Sequence, residues 1–189
     1  MGNTRAGALM ASFTKSKRGL LLRLDESEVP ILRRTASEVL EIISDRQTVT
    51  PSDDPLARMV GISTNDQLPE NPVLARLFPD AYADDQSARE FRRYTESSLH
   101  EKKEQAIVNL LTSLPASGEA KIDLDLFEID EWMRAINDLR LALGVVLEID
   151  EDYDARFADV NENDPMFITV RVFYWLGWLQ QNLIEYAGD

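Results

Sequence analysis

The chain has 189 residues, 44% of them apolar, and no cysteine. That length and apolar share suit one domain with a sizeable core and exclude global disorder; the missing thiols exclude disulfides, thiolate catalysis, cysteine zinc sites and thiol redox sensing by these residues. The net charge of −14 is uneven: Met1–Leu24 carries Arg5, Lys15, Lys17, Arg18 and Arg23 with no acid, and everything after it sums to −19, so nucleic-acid binding would fall to the short basic arm.

Apolar residues around Leu9–Phe13 and Gly19–Leu24 flank a turn at Thr14–Arg18, which predicts a hairpin. Asp25 stands at an N-cap position with Glu28 three residues on, a capping-box pattern. Val29, Leu32, Ala36, Val39, Leu40 and Ile43 follow at helical spacing. Prolines at 51, 55, 69, 72 and 79 limit Gln47–Tyr82 to short helices such as Leu56–Val60 and Val73–Phe78, the second opened by Asn71-Pro72. A long helix is expected over Ser87–Leu114, with Phe91, Tyr94, Leu99, Ile107, Leu110, Leu111 and Leu114 as its apolar stripe and a solvated middle at Glu101–Glu104. Lys121–Asp125 alternates like a half-exposed strand able to join the hairpin.

Ile129, Trp132, Met133, Ile136, Leu139, Leu143, Val146 and Leu147 share one face of the next helix. Beyond Leu139 that helix is apolar nearly all round, which predicts the central element of the fold. Gly144 costs about 1 kcal/mol against alanine in a helix, so a close neighbouring helix is expected there. Asp150–Asp164 reads as an acidic loop, and Asp164-Pro165 opens a last helix with Phe167, Phe173, Tyr174, Trp175 and Trp178 on more than one face. Met166–Ile184 is interrupted by Arg171, Gln180, Gln181 and Asn182, too polar for a membrane span. No apolar run of signal-peptide length precedes Lys15. The expected fold is a mainly α helical bundle with a small antiparallel hairpin or three-stranded sheet near the N-terminus. It forms one domain over residues 1–189, with an arm at 1–24 and a helical body at 25–187.

Chemistry is weakly signalled. His100 is the lone histidine, and Ser97 or Ser98 beside it on a helix does not make a nucleophile's triad. Asp150, Asp152 and Asp154 match the first three ligand positions of a calcium loop, but Ala155 replaces the turn glycine and Asn161 the bidentate glutamate. Arg140, among apolar neighbours, calls for a salt-bridge partner from another element. No glycine-rich nucleotide loop is present. The reading is non-enzymatic, with no catalytic residue, metal or cofactor.

The run Trp132-Met133-Arg134-Ala135-Ile136-Asn137-Asp138-Leu139-Arg140-Leu141-Ala142-Leu143-Gly144 resembles the most characteristic stretch of an AosR-like family of actinobacterial proteins, typically encoded beside the ClpS adaptor. Asn71–Asp80, Ser98–Glu101 and Tyr174-Trp175-Leu176 with Leu179-Gln180 are similar in the same order, so the likeness runs from about Leu22 to Ile184. It implies a cytoplasmic regulator of transcription or stress responses acting through a protein partner, with a sigma factor, RNA polymerase or a protease adaptor as the types to expect. The redox sensing it implies has no thiol here to use. The residues expected at such a contact are Tyr174, Trp175, Trp178, Asn137 and Arg140, with homodimerisation through the last helix a separate expectation. The alternative is a DNA-binding regulator using Lys15, Lys17 and Arg18.

Overall fold

A computed structural model describes residues 11–46 and 66–187; Leu9, Arg5, Asp54-Pro55 and the helix expected at Leu56–Val60 lie outside them. β1 (Ser12–Lys15) and β2 (Leu20–Leu24) form an antiparallel hairpin with Ser12 opposite Arg23 and Lys15 opposite Leu20. β3 (Ala120–Leu124) pairs antiparallel with the other side of β2, giving the order β1-β2-β3. Alternation explains the sheet's orientation: Leu20, Leu22 and Leu24 on β2 and Ala120, Ile122 and Leu124 on β3 are buried, while Lys121 and Asp123 face outward. Gly19 closes the turn at φ +155°, where an added Cβ would stand 2.7 Å from the Leu124 carbonyl oxygen. No side chain fits between those two strands at that point.

The helices are α1 (Glu28–Ser44), α2 (Pro72–Leu77), α3 (Asp85–Ser113), α4 (Leu126–Val146), α5 (Tyr153–Phe157) and α6 (Phe167–Ala187). Side chains write their starts. The Asp25 carboxylate accepts from the Glu28 amide at 2.9 Å while the Glu28 carboxylate accepts from the Asp25 amide at 2.8 Å, the reciprocal bonds expected of that pair. Asn71 Oδ1 accepts from the amides of Val73 and Leu74, ahead of Pro72 in the first turn of α2. Asp125 and Glu128 form a second capping box, at the head of α4. That role takes Asp125 out of the strand expected to contain it, so β3 sits one residue earlier.

α4 is the central element, touching α1, α2, α3, α6 and β3. Ile129, Trp132, Ile136 and Leu139 on α4 pack with Leu176, Leu179 and Leu183 of α6 in one core with the inner face of the sheet. Burying each such side chain contributes roughly 1.5–3 kcal/mol. Leu147, Val170 and Phe173 make a smaller cluster with Ile149, Tyr153, Phe157 and Met166 beneath the acidic loop. That loop is not wholly irregular, since α5 lies within it. None of the helices among the described residues is long and apolar enough to cross a membrane.

Two local expectations are corrected. On the first half of α3, Phe91, Tyr94 and Leu99 are exposed, and the long side chains buried in their place are those of Arg92 and Glu96, beside the small Ala88. Charged groups replace the apolar stripe because Arg46, just past α1, and Asp80, in the α2–α3 connection, neutralise them. At Gly144, an added Cβ would meet only the Ile149 side chain among the described residues, at 3.7 Å, so none of the described helices presses there. Gly144 is third from the end of α4 and opens a Schellman turn: the Ile149 amide donates to the Gly144 carbonyl and the Glu148 amide to the Val145 carbonyl. Glu148 takes the left-handed position at φ +50°, where glycine is usual.

Candidate functional site: the α4–α6 seam

Asn137 and Arg140 lie one helical turn apart on α4 and face α6. The Arg140 guanidinium lies beside Gly177, whose added Cβ would come within 3.4 Å of it. The close approach expected at Gly144 is therefore made at Gly177 on the opposite helix, by a side chain rather than a backbone. Arg140 Nη1 donates to Gln180 Oε1 at 2.5 Å, and its Cζ sits 5.2 Å from the centre of the Phe173 ring. The salt bridge expected for Arg140 is absent: no carboxylate among the described residues pairs with it, and its Nε is buried without an acceptor. An amide oxygen and an aromatic face offset part of the desolvation of the charge and leave it without a counterion.

This guanidinium borders a cleft of about 400 Å³ lined by Arg76 from α2, Asn137, Arg140 and Gly144 from α4, Glu148, and Phe173 from α6. Leu141, Val145 and Ile149 complete the wall. Arg76, at the last turn of α2, is exposed and makes no ion pair among the described residues. Glu148 is exposed at the rim.

The outer side of α6 differs in character. Trp178 is 43% exposed and packs on Phe13 of β1 at 5.5 Å, and Phe13 also stacks on Tyr186. Tyr174 is exposed, donates its hydroxyl to Asp154 at 2.7 Å and packs against Tyr153 and Phe173. Desolvation first, then the bond to Asp154 and its negative charge, push the Tyr174 phenol up to about 12. Trp175 is 5% exposed and part of the core. The five residues expected on a contact surface thus divide three ways: Trp178 and Tyr174 outward, Asn137 and Arg140 at the cleft, and Trp175 inward.

The basic arm is partly spent on the protein itself. Arg18 donates to the Asp123 carbonyl at 2.8 Å and pairs with Asp125 and Glu128 at 3.1 and 3.0 Å, pinning the hairpin turn to the head of α4. Lys15 and Lys17 are exposed. His100 donates from Nε2 to the Ile43 carbonyl at 2.8 Å and stacks on Phe78, so it joins α3 to α1 and α2. In the acidic loop Arg156 pairs with Asp150 and donates to the Leu147 and Glu148 carbonyls. No cluster of three or more ligating side chains among the described residues is placed to hold a metal.

Sequence reasoning missed one charged centre. Arg92 pairs with Glu96 at 2.7 Å and Asp80 at 2.6 Å and donates to the Phe78 carbonyl, and Glu96 also receives Arg46 from the end of α1. The i,i+4 spacing of Arg92 and Glu96 was the available signal.

A family model described as a domain of unknown function, DUF2017, matches residues 10–187. Over 172 residues the chain is 33% identical to the putative oxidative stress regulator AosR of Mycobacterium leprae, an alignment covering 83% of this chain and 77% of that one. The oxidative stress regulators AosR of Mycobacterium bovis and Mycobacterium tuberculosis align with the same identity and coverage. No solved structure matches the chain. With nearly the whole described body inside the match, the chain belongs to the DUF2017 family as an AosR-like protein.

Proposed function

We propose that the chain is a non-enzymatic regulator of a stress response that acts by holding a protein partner against the outer face of α6. The relatives' names support the regulatory role. The observation that carries the mechanism is the half-exposed Trp178, which with Tyr174 presents large aromatic surface beside the edge strand β1. Tryptophan and tyrosine dominate binding hot spots because they bury much apolar area and still offer a polar group. A sigma factor, RNA polymerase or a protease adaptor is the kind of partner to look for. The lack of cysteine means regulation through these residues runs without a thiol switch. Direct DNA binding is less well supported, since Arg18 is held by two carboxylates.

The test is capture of tagged chain and its Trp178→Ala variant with mycobacterial lysate, read by mass spectrometry against a charge-matched acidic control. The reading expects one of those partners at near-equal stoichiometry with the parent chain and a loss of at least tenfold with the variant, a hot-spot-sized effect of roughly 1.4 kcal/mol or more. Equal recovery by both proteins, or recovery no better than the control, overturns it. Light scattering on the same samples separates a heterologous partner from a second copy docking through α6.

A further inference from the structure

The α4–α6 cleft has a chemistry that its neighbours do not use. Two arginines reach it from different helices, and neither forms an ion pair among the described residues of a chain whose net charge is −14. Acids outnumber bases by 34 to 20, yet no carboxylate of the described residues reaches either guanidinium. Arg140 is the more telling. One of its five N–H groups is used, on Gln180, and its charge is held against Gly177 and the Phe173 ring, where water solvates it poorly. Asn137 adds a side-chain amide at the same wall, and Leu141, Val145, Ile149 and Phe173 supply an apolar one. A concave site with an apolar wall and a few convergent polar groups is the usual form of a small-molecule pocket, and about 400 Å³ falls within the normal range for one. The rim residue Glu148 is the left-handed residue of the turn that ends α4, which sets its carboxylate-bearing side chain at the mouth of the cleft.

We propose that this cleft binds a small organic monoanion, its carboxylate on Arg140 and Arg76 and its apolar body against Phe173, Val145 and Ile149. A planar guanidinium matches a carboxylate's two oxygens, and the charge-assisted bonds supply the counterion Arg140 lacks. Glu148 at the rim selects against ligands of higher negative charge. The site is separate from the outer face of α6, so the proposal stands or falls independently of partner docking. Ligand at the cleft would press on α4 and α6 together, which gives a regulator without thiols something to sense.

The experiment is a titration of full-length, isotope-labelled chain, followed by amide chemical shifts, with benzoate, benzyl alcohol and inorganic phosphate as separate probes. Benzoate is expected to produce saturable shifts in the millimolar range at Asn137, Gly144, Glu148 and Gly177. Arg140→Gln and the exposed Arg76→Ala should each weaken it, the former by roughly tenfold, the scale of a lost charge-assisted bond. Glu148→Gln should tighten it several-fold. Arg76→Ala keeps the test valid if Arg140→Gln fails to fold. Equal binding of benzyl alcohol would reduce the cleft to an apolar crevice and overturn the proposal. Absence of saturation with benzoate, or affinity unchanged in Arg76→Ala, would do the same. Phosphate binding as tight as benzoate would remove the role assigned to the apolar wall.

Discussion

Arg92 on α3 and Arg140 on α4 are chemically alike and both leave Nε without an acceptor, yet they sit in opposite electrostatic accounts. Arg92 is 5% exposed and faces Glu96 and Asp80, with Arg46 bracing Glu96 from the other side. Burial works against its charge, but Glu96 and then Asp80 outweigh it, so its pKa ends above the ordinary value. Arg140 has an amide oxygen and a ring for company and no carboxylate. The first arrangement locks α1, α3 and the α2–α3 connection together. The second leaves a cation with donors to spare beside open space. Lys103–Asp138 lies between the extremes, a single pair at 2.6 Å joining α3 to α4.

The largest effect expected from breaking the closed cluster comes at its shared anion. Glu96→Ala strands the buried Arg46 and leaves Arg92 with Asp80 alone, and an uncompensated buried charge costs about 3–5 kcal/mol. Urea unfolding with the slope unchanged measures it. A loss below about 1 kcal/mol would mean water reaches those guanidiniums and the cluster is not sealed.

The single pair should show itself through pH. Burial raises the Asp138 carboxyl above its ordinary value despite the charge of Lys103. The folded state therefore holds this proton longer than the unfolded chain. Stability through this group falls as pH rises from its unfolded pKa of 3.8 through the folded value. The N-cap acids run the other way: the Ser87 amide bond holds the Asp84 carboxyl low, and its contribution is lost as pH falls through the folded pKa. Asp138→Asn should abolish its share of the pH dependence while leaving that of Asp84. Parallel stability curves for variant and parent across that window would contradict the assignment.

How much of this was legible beforehand depends on the range of the interactions involved. The Asp25/Glu28 box, the Asn71-Pro72 start and the alternation of β3 are written within a few residues, and the structure has each of them. So is the central place of α4, because a helix apolar all round has to be enclosed. The buried half of α3 was not legible. An apolar stripe at Phe91, Tyr94 and Leu99 is the local inference, and what reverses it is Arg46 and Asp80, fifty and sixteen positions from Glu96. The same limit hid the surroundings of Arg140: a counterion is the general expectation for a buried arginine, while Gly177, Phe173 and Gln180 become its neighbours only once α6 crosses α4. Gly144 misled for the opposite reason, since its place in a helix-ending turn depends on Ile149 five residues on.

At the cleft's rim the expected change is a gain. Glu148 occupies a left-handed position at φ +50°, and replacing a non-glycine residue there with glycine relieves strain of about 1 kcal/mol. Glu148→Gly should raise the unfolding midpoint while removing the carboxylate that faces an incoming anion. If stability falls instead, Glu148 makes compensating contacts through its side chain, and the turn carries no net strain for glycine to relieve.

The smallest expected effect is the one that decides the comparison. Arg140→Met keeps most of the apolar stem against Phe173 and gives up the bond to Gln180 and the contact of charge with ring. Those losses are worth about 1.5–3 kcal/mol and about 0.5–2 kcal/mol respectively, but a half-buried cation without a counterion disappears with them, and removing its partial desolvation offsets much of the loss. The balance should leave the variant within about 1 kcal/mol of the parent, whereas Arg92→Met leaves Glu96 and Asp80 facing a methionine and should approach the loss expected for Glu96→Ala. Equal, large losses at both arginines would show Arg140 to be as structural as Arg92. Near-neutrality at Arg140 alone means the fold tolerates this cation without depending on it, which leaves its charge available for something other than stability.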